Sequence, residues 1–288
     1  MSGGRDSMAL LHAFARVAPR SVVVVATFDH GTGAAATRAA DLVASESAKL
    51  RIPVVVGRAG ALQGGEGASE AEWRQARRQF FAEVTDRTGG VVATAHTRDD
   101  QVETVLMRVL RDSGARGLAG LYAASKTVRP FLDCSRDEVA EYADEVGAVW
   151  VEDPTNASMR FFRNRVRRDL LPAISRVKPG FDEQLIGLAR EAGLWRAKLD
   201  ALVAPLARVS STGSSVFVAV GDLSPYSREE LSSMWPAIAA RVGLAMDWRG
   251  TERAAAFTNE SRTGARMQLS GGWEIARSRD VFELRRWR

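Results

Sequence analysis

The stretch SGGRDSMALL, residues 2–11, joins a glycine-rich turn directly to the start of an amphipathic segment with helical spacing. Gly3 and Gly4 let the backbone approach a ligand closely and tolerate positive φ. The amide groups at the start of the following helix point towards an anion, which the helix dipole also favours. Ser2 and Ser7 add hydroxyl donors. The stretch therefore predicts a phosphate-binding loop, and because it lacks the GxxxxGK[ST] pattern it is not that of an ordinary P-loop hydrolase.

A second SGG tripeptide, residues 270–272, provides an internal comparison. It lies between two segments of strand-like sequence and is followed by Trp273. In that setting the tripeptide is typical of a hairpin turn. A bare SGG is more often a simple turn than a ligand site. The first copy differs because Asp6, Ser7 and a helix follow it.

Strands and helices alternate after the first loop. Short runs rich in valine at 21–28, 52–57 and 91–95 predict hydrophobic strands, and each precedes a segment with helical spacing. This alternation predicts an α/β fold with a doubly wound parallel sheet. From about residue 178 the pattern changes to a helical hairpin or long helix, a strand, a helix and a β-hairpin or meander. We therefore expect a catalytic, nucleotide-binding domain at 1–178 and a smaller, mostly helical α+β substrate module at 179–288.

Ligands of such sheets collect beyond the carboxyl ends of the strands. Asp29 and His30 follow one predicted strand directly, and His96 follows another. We expect these three side chains to lie beside the phosphate-binding loop. A purely structural role for His96 is equally compatible with the sequence.

Two acids follow His96 at the start of a predicted helix. Thr97 and Asp100 have the spacing of a capping box, and Asp100 and Glu103 then project from one face of the first turn. Acids at this position often do no more than offset the helix dipole. Their place just beyond a parallel strand favours a site for Mg2+ or for a substrate ammonium group.

Two arginine-rich segments predict contacts with phosphate. The first carries Arg160, Arg163, Arg165, Arg167 and Arg168, of which Arg160, Arg163 and Arg167 share one face of a helix. The second, on the predicted helix 70–87, carries Arg74, Arg77 and Arg78 at i, i+3 and i+4. The planar guanidinium group suits phosphate. A solvated basic helix is the simpler interpretation of either segment alone, but together they could form a stripe for an RNA backbone.

Composition excludes several classes of protein. Cys134 is the only cysteine, so the chain can form neither an internal disulfide nor a multi-thiolate metal site. The three histidines are scattered, which disfavours a zinc site. Apolar runs are too short for a membrane span or a signal peptide. We therefore expect a cytoplasmic protein with no membrane partner.

The motif SGGRDS is the residue pattern of the PP-loop ATP pyrophosphatases. The order of SGGRDS, DHG, EAEWRQARR, HTRDDQVETVLMRVLRDSGARGLAG, RPFLDCSRDEVAEYA and VEDPTNASMRFFRNRVRRDLLP resembles, within that group, the bacterial tRNA(Ile)-lysidine synthetases. The likeness covers roughly residues 2–175, and the tail RMQLSGGWEI is similar to a later substrate-binding module of the family.

The resemblance implies a carbon–nitrogen ligase. Such an enzyme uses ATP to adenylate C2 of the first anticodon cytidine of tRNA(Ile) with a CAU anticodon, and pyrophosphate is released. The ε-amine of L-lysine then displaces AMP to give lysidine. The implied partners are therefore tRNA(Ile) and L-lysine. The resemblance leaves room for a homodimer.

The resemblance also implies roles for individual residues. Those expected to bind ATP are Ser2, Gly3, Gly4, Arg5, Asp6, Ser7, Asp29, His30 and His96, with Asp6 as a ligand of Mg2+. The expected catalytic residues are Asp100, Glu103, Arg163 and Arg167. The expected tRNA contacts are Arg74, Arg77, Asn164, Arg165 and Arg168.

The chain departs from the family pattern at three places. Relatives usually have a short strand before the first serine, so we expect either a start codon assigned too far downstream or the loss of a central strand. The first alternative is favoured, because a missing central strand would expose the hydrogen-bonding edges of its neighbours. Thr32 and Gly33 stand where many relatives have Leu and a basic or polar residue, and Asp112 stands where Gly is usual. These departures leave the inferred reactive groups intact.

The sequence leaves three other functions open. An RNA thiolase uses the same adenylation but needs a cysteine relay or a cysteine-held cluster, which Cys134 alone does not provide. A glutamine-dependent synthetase would need an amidotransferase partner. An inactive relic that binds RNA or nucleotide would fit the expected loss of a strand.

Overall fold

The computed structural model describes residues 1–29, 33–58, 70–152 and 158–287, without the side chains of Glu70, Ala71, Trp73 and Arg74. The chain divides into two compact units. The first comprises Met1–Leu110 and Ala124–Gly187, and the second comprises Arg111–Ala123 and Leu188–Arg288. The expected domain boundary after residue 178 stays a prediction. No helix within the described ranges is long and apolar enough to cross a membrane.

The first unit follows the predicted alternation of strands and helices. Its elements as far as the fourth helix are α1 (Arg5–Val17), β1 (Val25–Asp29), α2 (Ala34–Lys49), β2 (Val54–Arg58), α3 (Glu70–Thr88), β3 (Val92–Ala93) and α4 (Arg98–Val109). A short helix, α5 (Ala115–Leu118), belongs to the second unit. The first unit continues with β4 (Thr127–Val128), α6 (Arg136–Glu145), α7 (Phe162–Arg165), a π-helical turn at Val166–Leu170 and α8 (Leu171–Val177). The α/β fold class is confirmed.

The parallel strands form two separate pairs. β1 pairs with β2 in register from Val25↔Val54 to Asp29↔Arg58, and β3 pairs with β4. Among the described residues no ladder of hydrogen bonds joins the two pairs. β3 is only two residues long, which is shorter than the run 91–95 predicts. The continuous sheet that the sequence predicts is therefore interrupted at its centre.

A cavity of about 1150 Å³ lies between β1 and β3. Residues 22–28 line one side of it and residues 91–96 line the other. Met1 extends along β1: its amino group donates to the Ala26 carbonyl, and its own carbonyl accepts from Thr27 Oγ1 at 3.0 Å. Burial lowers the pKa of this amino group to about 5, and the charge of Arg77 adds to the effect.

The core of the first unit fixes α1 in place. Met8, Ala9 and Leu11 of α1 are almost fully buried and pack with Val43 of α2 and Val139 of α6. Each large apolar side chain buried in this way contributes about 1.5–3 kcal/mol. The helix that begins at the glycine-rich loop is thereby held rigidly behind it.

The second unit contains a five-stranded antiparallel sheet with strand order β5-β6-β9-β8-β7. Its remaining elements are α9 (Phe181–Val203), which begins in the first unit, β5 (Ala207–Val209), β6 (Ser215–Ala219), α10 (Val220–Leu223), α11 (Arg228–Ala240), α12 (Trp248–Glu260), β7 (Arg266–Leu269), β8 (Trp273–Arg277) and β9 (Val281–Arg286). Trp235 lies at the centre of its core and donates from Nε1 to Thr258 Oγ1 at 2.8 Å.

The terminal strands confirm the predicted meander. β7, β8 and β9 pair in sequence as antiparallel neighbours. Residues 270–272 form the turn between β7 and β8, and Gly271 and Gly272 both have positive φ. The second SGG is therefore a hairpin turn, as its strand-like surroundings predict.

Candidate active site

The glycine-rich loop leads into α1 without a side-chain cap. Gly4 occupies the N-cap position. The first amide groups of a helix have no intrahelical partner, and glycine has no side chain that could cap them. Ser7 Oγ donates to Gly4 O at 2.8 Å, and Ser2 Oγ donates to Ser7 Oγ at 3.2 Å. Hydroxyl groups and amides therefore converge at the helix N-terminus, which is the arrangement that binds phosphate.

Gly3 is required by both its conformation and its surroundings. Its φ is +74°, and a Cβ added here would lie 2.8 Å from Ala39 O and 2.9 Å from Ala39 Cβ on α2. Val151 N donates to Gly3 O at 3.0 Å and fixes the turn from its other side. The loop can therefore adopt this path only with glycine at position 3.

Opposing effects act on the pKa of the Asp6 carboxyl group. Burial raises the pKa of this carboxyl group, while the guanidinium groups of Arg136 and Arg5 lower it and the charge of Asp100 raises it further. Arg5 Nε approaches Asp6 Oδ1 at 3.6 Å. A cation beside a partly buried carboxylate of this kind stabilises its charged form. Mg2+ commonly takes one or two carboxylates together with phosphate oxygens and water, so Asp6 fits the ligand role expected for it.

Helix α4 begins where the sequence predicts. Thr97 and Asp100 form a capping box, in which Thr97 N donates to Asp100 Oδ2 at 2.9 Å and Asp100 N donates to Thr97 Oγ1 at 3.4 Å. The cap uses one oxygen of Asp100 and leaves Oδ1 directed at other groups. Asp100 and Glu103 share partners, as their spacing predicts.

Five side chains form what we call the acid–arginine cluster: Asp100, Glu103, Arg136, Arg163 and Arg167. Glu103 Oε1 accepts from Arg167 Nε at 2.6 Å and from Arg136 Nη2 at 3.1 Å. Its Oε2 accepts from Arg163 Nε at 2.7 Å and from Arg167 Nη2 at 3.0 Å. Asp100 Oδ1 accepts from Arg163 Nη2 at 2.8 Å and also faces the other two guanidinium groups. Three guanidinium groups thus surround the two carboxylates.

The arginines keep Glu103 ionised despite its burial. Its side chain is only 1% exposed. Burial on its own raises the pKa, but hydrogen bonds from Arg167 and Arg163 outweigh it and hold the pKa below the ordinary value of 4.5. The pKa of Arg167 is raised in turn, against the effect of burial, by its hydrogen bond to Glu103.

We expect the stability contributed by Glu103 to depend on pH with a definite sign. Because its folded-state pKa is lowered, the contribution is complete above pH 4.5 and is lost as pH falls through the folded-state pKa. The Glu103→Gln variant should therefore be less stable at pH 7 by about 1–3 kcal/mol, the scale of hydrogen bonds to a charged group. Denaturant unfolding of both proteins at pH 7, 5, 4 and 3 measures the difference. A difference that grows as pH falls would contradict the prediction.

Arg136 is a member of the cluster that sequence reasoning missed. It occupies the first position of α6, after the N-cap Ser135. A cation there opposes the helix dipole, and that conflict was the available signal. The residue lies in RPFLDCSRDEVAEYA, in which only Cys134 was weighed for a chemical role.

Of the predicted nucleotide-binding residues that follow strands, His96 lies within electrostatic reach of the acid–arginine cluster. His96 lines the cavity, its Nδ1 lies 2.9 Å from Thr94 Oγ1, and burial lowers its pKa, so the ring is neutral at pH 7. The charges of Asp100 and Arg163 also act on His96. Asp29 is buried and accepts from Thr37 Oγ1 at 3.1 Å. His30 lies outside the described residues.

The predicted tRNA contacts are more dispersed. Arg77, Arg165 and Arg168 are exposed, and the guanidinium group of Arg165 lies 5.6 Å from the ring centroid of Phe162. Asn164 is buried and donates from Nδ2 to Ser158 O at 2.8 Å, so it stabilises the turn before α7. The side chain of Arg74 lies outside the described residues. The tRNA roles of these residues stay predictions.

Comparison with protein-family models matches residues 1–174 to the PP-loop domain. Among curated proteins, the tRNA(Ile)-lysidine synthase of Salinispora tropica is 36% identical over 94% of this chain and 81% of its own length. Those of Thermobifida fusca and Solibacter usitatus are 41% and 38% identical over 70% and 71% of this chain. The matches span 62% and 48% of these two relatives, so the chain covers only about half the length of several of the proteins it resembles.

Among solved structures, the chain resembles the U34-tRNA thiolase NcsA from Methanococcus maripaludis, whose structure contains a [4Fe-4S] cluster. The TM-score is 0.54 at 18% sequence identity, over 67% of this chain and 70% of the thiolase. At that identity the likeness concerns the fold alone.

Proposed function

The chain belongs to the PP-loop domain family and, within it, to the tRNA(Ile)-lysidine synthases, and from that premise we propose that it makes lysidine in tRNA(Ile). In the proposed reaction, O2 of the first anticodon cytidine attacks the α-phosphorus of ATP, and pyrophosphate leaves. The ε-amine of L-lysine, having lost a proton, then attacks C2 and AMP leaves with the oxygen. The chain would act in the cytoplasm, where tRNA and ATP are available.

The observation that carries the proposal is that Asp6, just after the glycine-rich loop, and the acid–arginine cluster lie within electrostatic reach of each other. The charges of Arg136 and Asp100 act on Asp6, and the charge of Asp6 acts on Arg167. A triphosphate bound at the start of α1 would therefore lie near the three guanidinium groups. Positive charge fixed in advance where negative charge develops is the usual source of the largest rate effect in group transfer.

The individual residues then have distinct proposed roles. The amides after Gly4, together with Ser2, Ser7 and Arg5, would hold the β- and γ-phosphates that leave as pyrophosphate. Mg2+ held by Asp6 would neutralise the charge of those phosphates. Arg163 and Arg167 would stabilise the charge that develops on the α-phosphate, since arginine binds phosphate through two parallel donors.

Asp100 and Glu103 are proposed to receive L-lysine, as complementary charges for a cationic substrate. Their oxygens accept hydrogen bonds from arginines. A bound nucleotide that draws Arg163 and Arg167 towards its phosphates would free these oxygens for an ammonium group. The proposal therefore makes lysine binding follow nucleotide binding.

The test is pyrophosphate release from ATP in the presence of tRNA(Ile) with a CAU anticodon, L-lysine, both or neither. We expect lysidine only with both substrates, detected in the nucleosides of the digested tRNA. Repeated turnover of ATP that requires tRNA but is indifferent to lysine would favour another PP-loop enzyme. RNA binding without any ATP turnover would favour an inactive relic. A thiolase is disfavoured because Cys134 is the only cysteine.

A further inference from the structure

Arg136 reaches the acid–arginine cluster from a different part of the fold than the other two arginines. Arg163 lies on α7 and Arg167 on the π-helical turn that follows it, while Arg136 begins α6. Its side chain is 21% exposed, against 39% for Arg163 and 32% for Arg167. Arg136 is thus the least solvated of the three guanidinium groups.

The backbone around Arg136 is tied to the start of α4. Arg136 N donates to Asp99 Oδ2 at 2.7 Å, and Arg98 N donates to Cys134 O at 2.8 Å. Ser135 and Glu138 close a capping box at the same helix end, with Ser135 N donating to Glu138 Oε2 at 2.7 Å. The start of α6 and the start of α4 therefore form one hydrogen-bonded unit, which fixes the origin of the Arg136 side chain.

The Arg136 side chain links the two acids to each other. Its Nη2 lies 3.4 Å from Asp100 Oδ1 and 3.1 Å from Glu103 Oε1, so a single nitrogen contacts both carboxylates. Its Nη1 lies 3.9 Å from Asp99 Oδ1. Lysine could offer one ammonium to the two carboxylates but could not direct a second nitrogen at Asp99 as well, since only the planar guanidinium presents several donors in fixed directions.

We infer that Arg136 is a positioning residue, which holds Asp100 and Glu103 in the orientation that receives L-lysine while Arg163 and Arg167 engage the nucleotide. The inference rests on the proposed function. It gives a role to Arg136, which was not among the site residues expected from the sequence or from the family resemblance. The anchor of Arg136, α6, packs against α1 and does not belong to the arginine-rich segment, so Arg136 can stay against the two acids when Arg163 and Arg167 move towards the phosphates.

The test compares Arg136→Gln, Arg136→Lys and a matched control, Arg98→Gln, with the unmodified chain. Arg98 is an arginine of similar exposure at the start of α4 that pairs with Asp182 and Glu183 and does not contact the cluster. Two measurements are made on each protein: the dependence of lysidine formation on L-lysine and on ATP, and calorimetric binding of L-lysine in the presence of a non-hydrolysable ATP analogue. Thermal unfolding confirms that each variant is folded.

We expect Arg136→Gln to lower kcat/KM for L-lysine by roughly a hundredfold, the effect of displacing a reacting group by about 1 Å, with KM for ATP changed by less than about threefold. Arg136→Lys should recover part of the loss, and Arg98→Gln should match the unmodified chain. If Arg136→Gln fails to fold, Arg136→Lys alone decides, because it keeps the charge and loses only the planar fork.

The outcomes separate the inference from the proposed function. Equal lysine binding and equal kcat/KM in the unmodified chain and both Arg136 variants overturn the inference alone. A uniform fall in every kinetic constant together with a lower melting temperature also overturns it, since that is the signature of a merely structural residue. Absence of lysine binding by the unmodified chain overturns the proposed function and the inference together.

Discussion

Replacing Asp100 by Asn is expected to abolish lysidine formation while leaving tRNA binding largely intact. The variant removes one of the two negative charges that face three guanidinium groups. It also turns an amide donor towards Arg163 Nη2, which in the unmodified chain lies 2.8 Å from Asp100 Oδ1. A site for an ammonium group then loses half of its charge. We expect kcat/KM for L-lysine to fall by roughly a thousandfold, the upper range for loss of one fixed electrostatic partner.

The fold of this variant should survive because Asn can keep the helix cap. Its amide oxygen can replace Asp100 Oδ2 as acceptor for Thr97 N. Glu230→Gln is the matched control, since Glu230 closes a capping box with Ser227 at the start of α11 and takes no part in the site. Lysidine formation, tRNA gel-shift binding and melting temperature are measured for both. Near-normal lysidine formation by Asp100→Asn would remove Asp100 from the mechanism.

Replacing Gly3 by Ala is expected to weaken ATP binding by about a hundredfold or more. A side chain at φ +74° costs about 1–2 kcal/mol, and its Cβ would in addition lie 2.8 Å from Ala39 O, so the loop or α2 must move. Movement of the loop displaces the amides that face the phosphates. A hundredfold loss corresponds to about 2.8 kcal/mol of binding free energy.

The second SGG supplies the control for this prediction. Gly271 has φ +72°, and the nearest atom to an added Cβ is Trp273 Cδ1 at 3.9 Å. Gly271→Ala therefore has the same conformational cost as Gly3→Ala without the collision. Calorimetric titration with Mg2+ and ATP should show weakened binding only for Gly3→Ala, although both variants bear the conformational cost. Equal ATP affinity in both variants would mean that Gly3 does not shape a nucleotide site.

The sequence predicted secondary-structure elements and local geometry well wherever these depend on residues close along the chain. The capping box at Thr97 and Asp100 depends on side chains three residues apart, and the hairpin at residues 270–272 depends on glycines between two strand-like runs. The shared face of Asp100 and Glu103 follows from helical periodicity alone. Prediction of strand lengths was poorer, since β3 extends over two residues where five were expected. Strand extent depends on which neighbour supplies hydrogen bonds, which no local pattern contains.

The sequence by itself determined the glycine-rich loop before α1, the order of strands and helices, and the family, because glycine at positive φ, apolar periodicity and helix caps act between residues close along the chain. Only the tertiary structure decided what surrounds the acids. It brought Arg136 from α6 against Asp100 and Glu103, and it set Ala39 against Gly3. It also separated β1 and β3 by a cavity. These contacts join residues far apart in sequence, so they depend on how whole elements pack and not on the composition of any one segment.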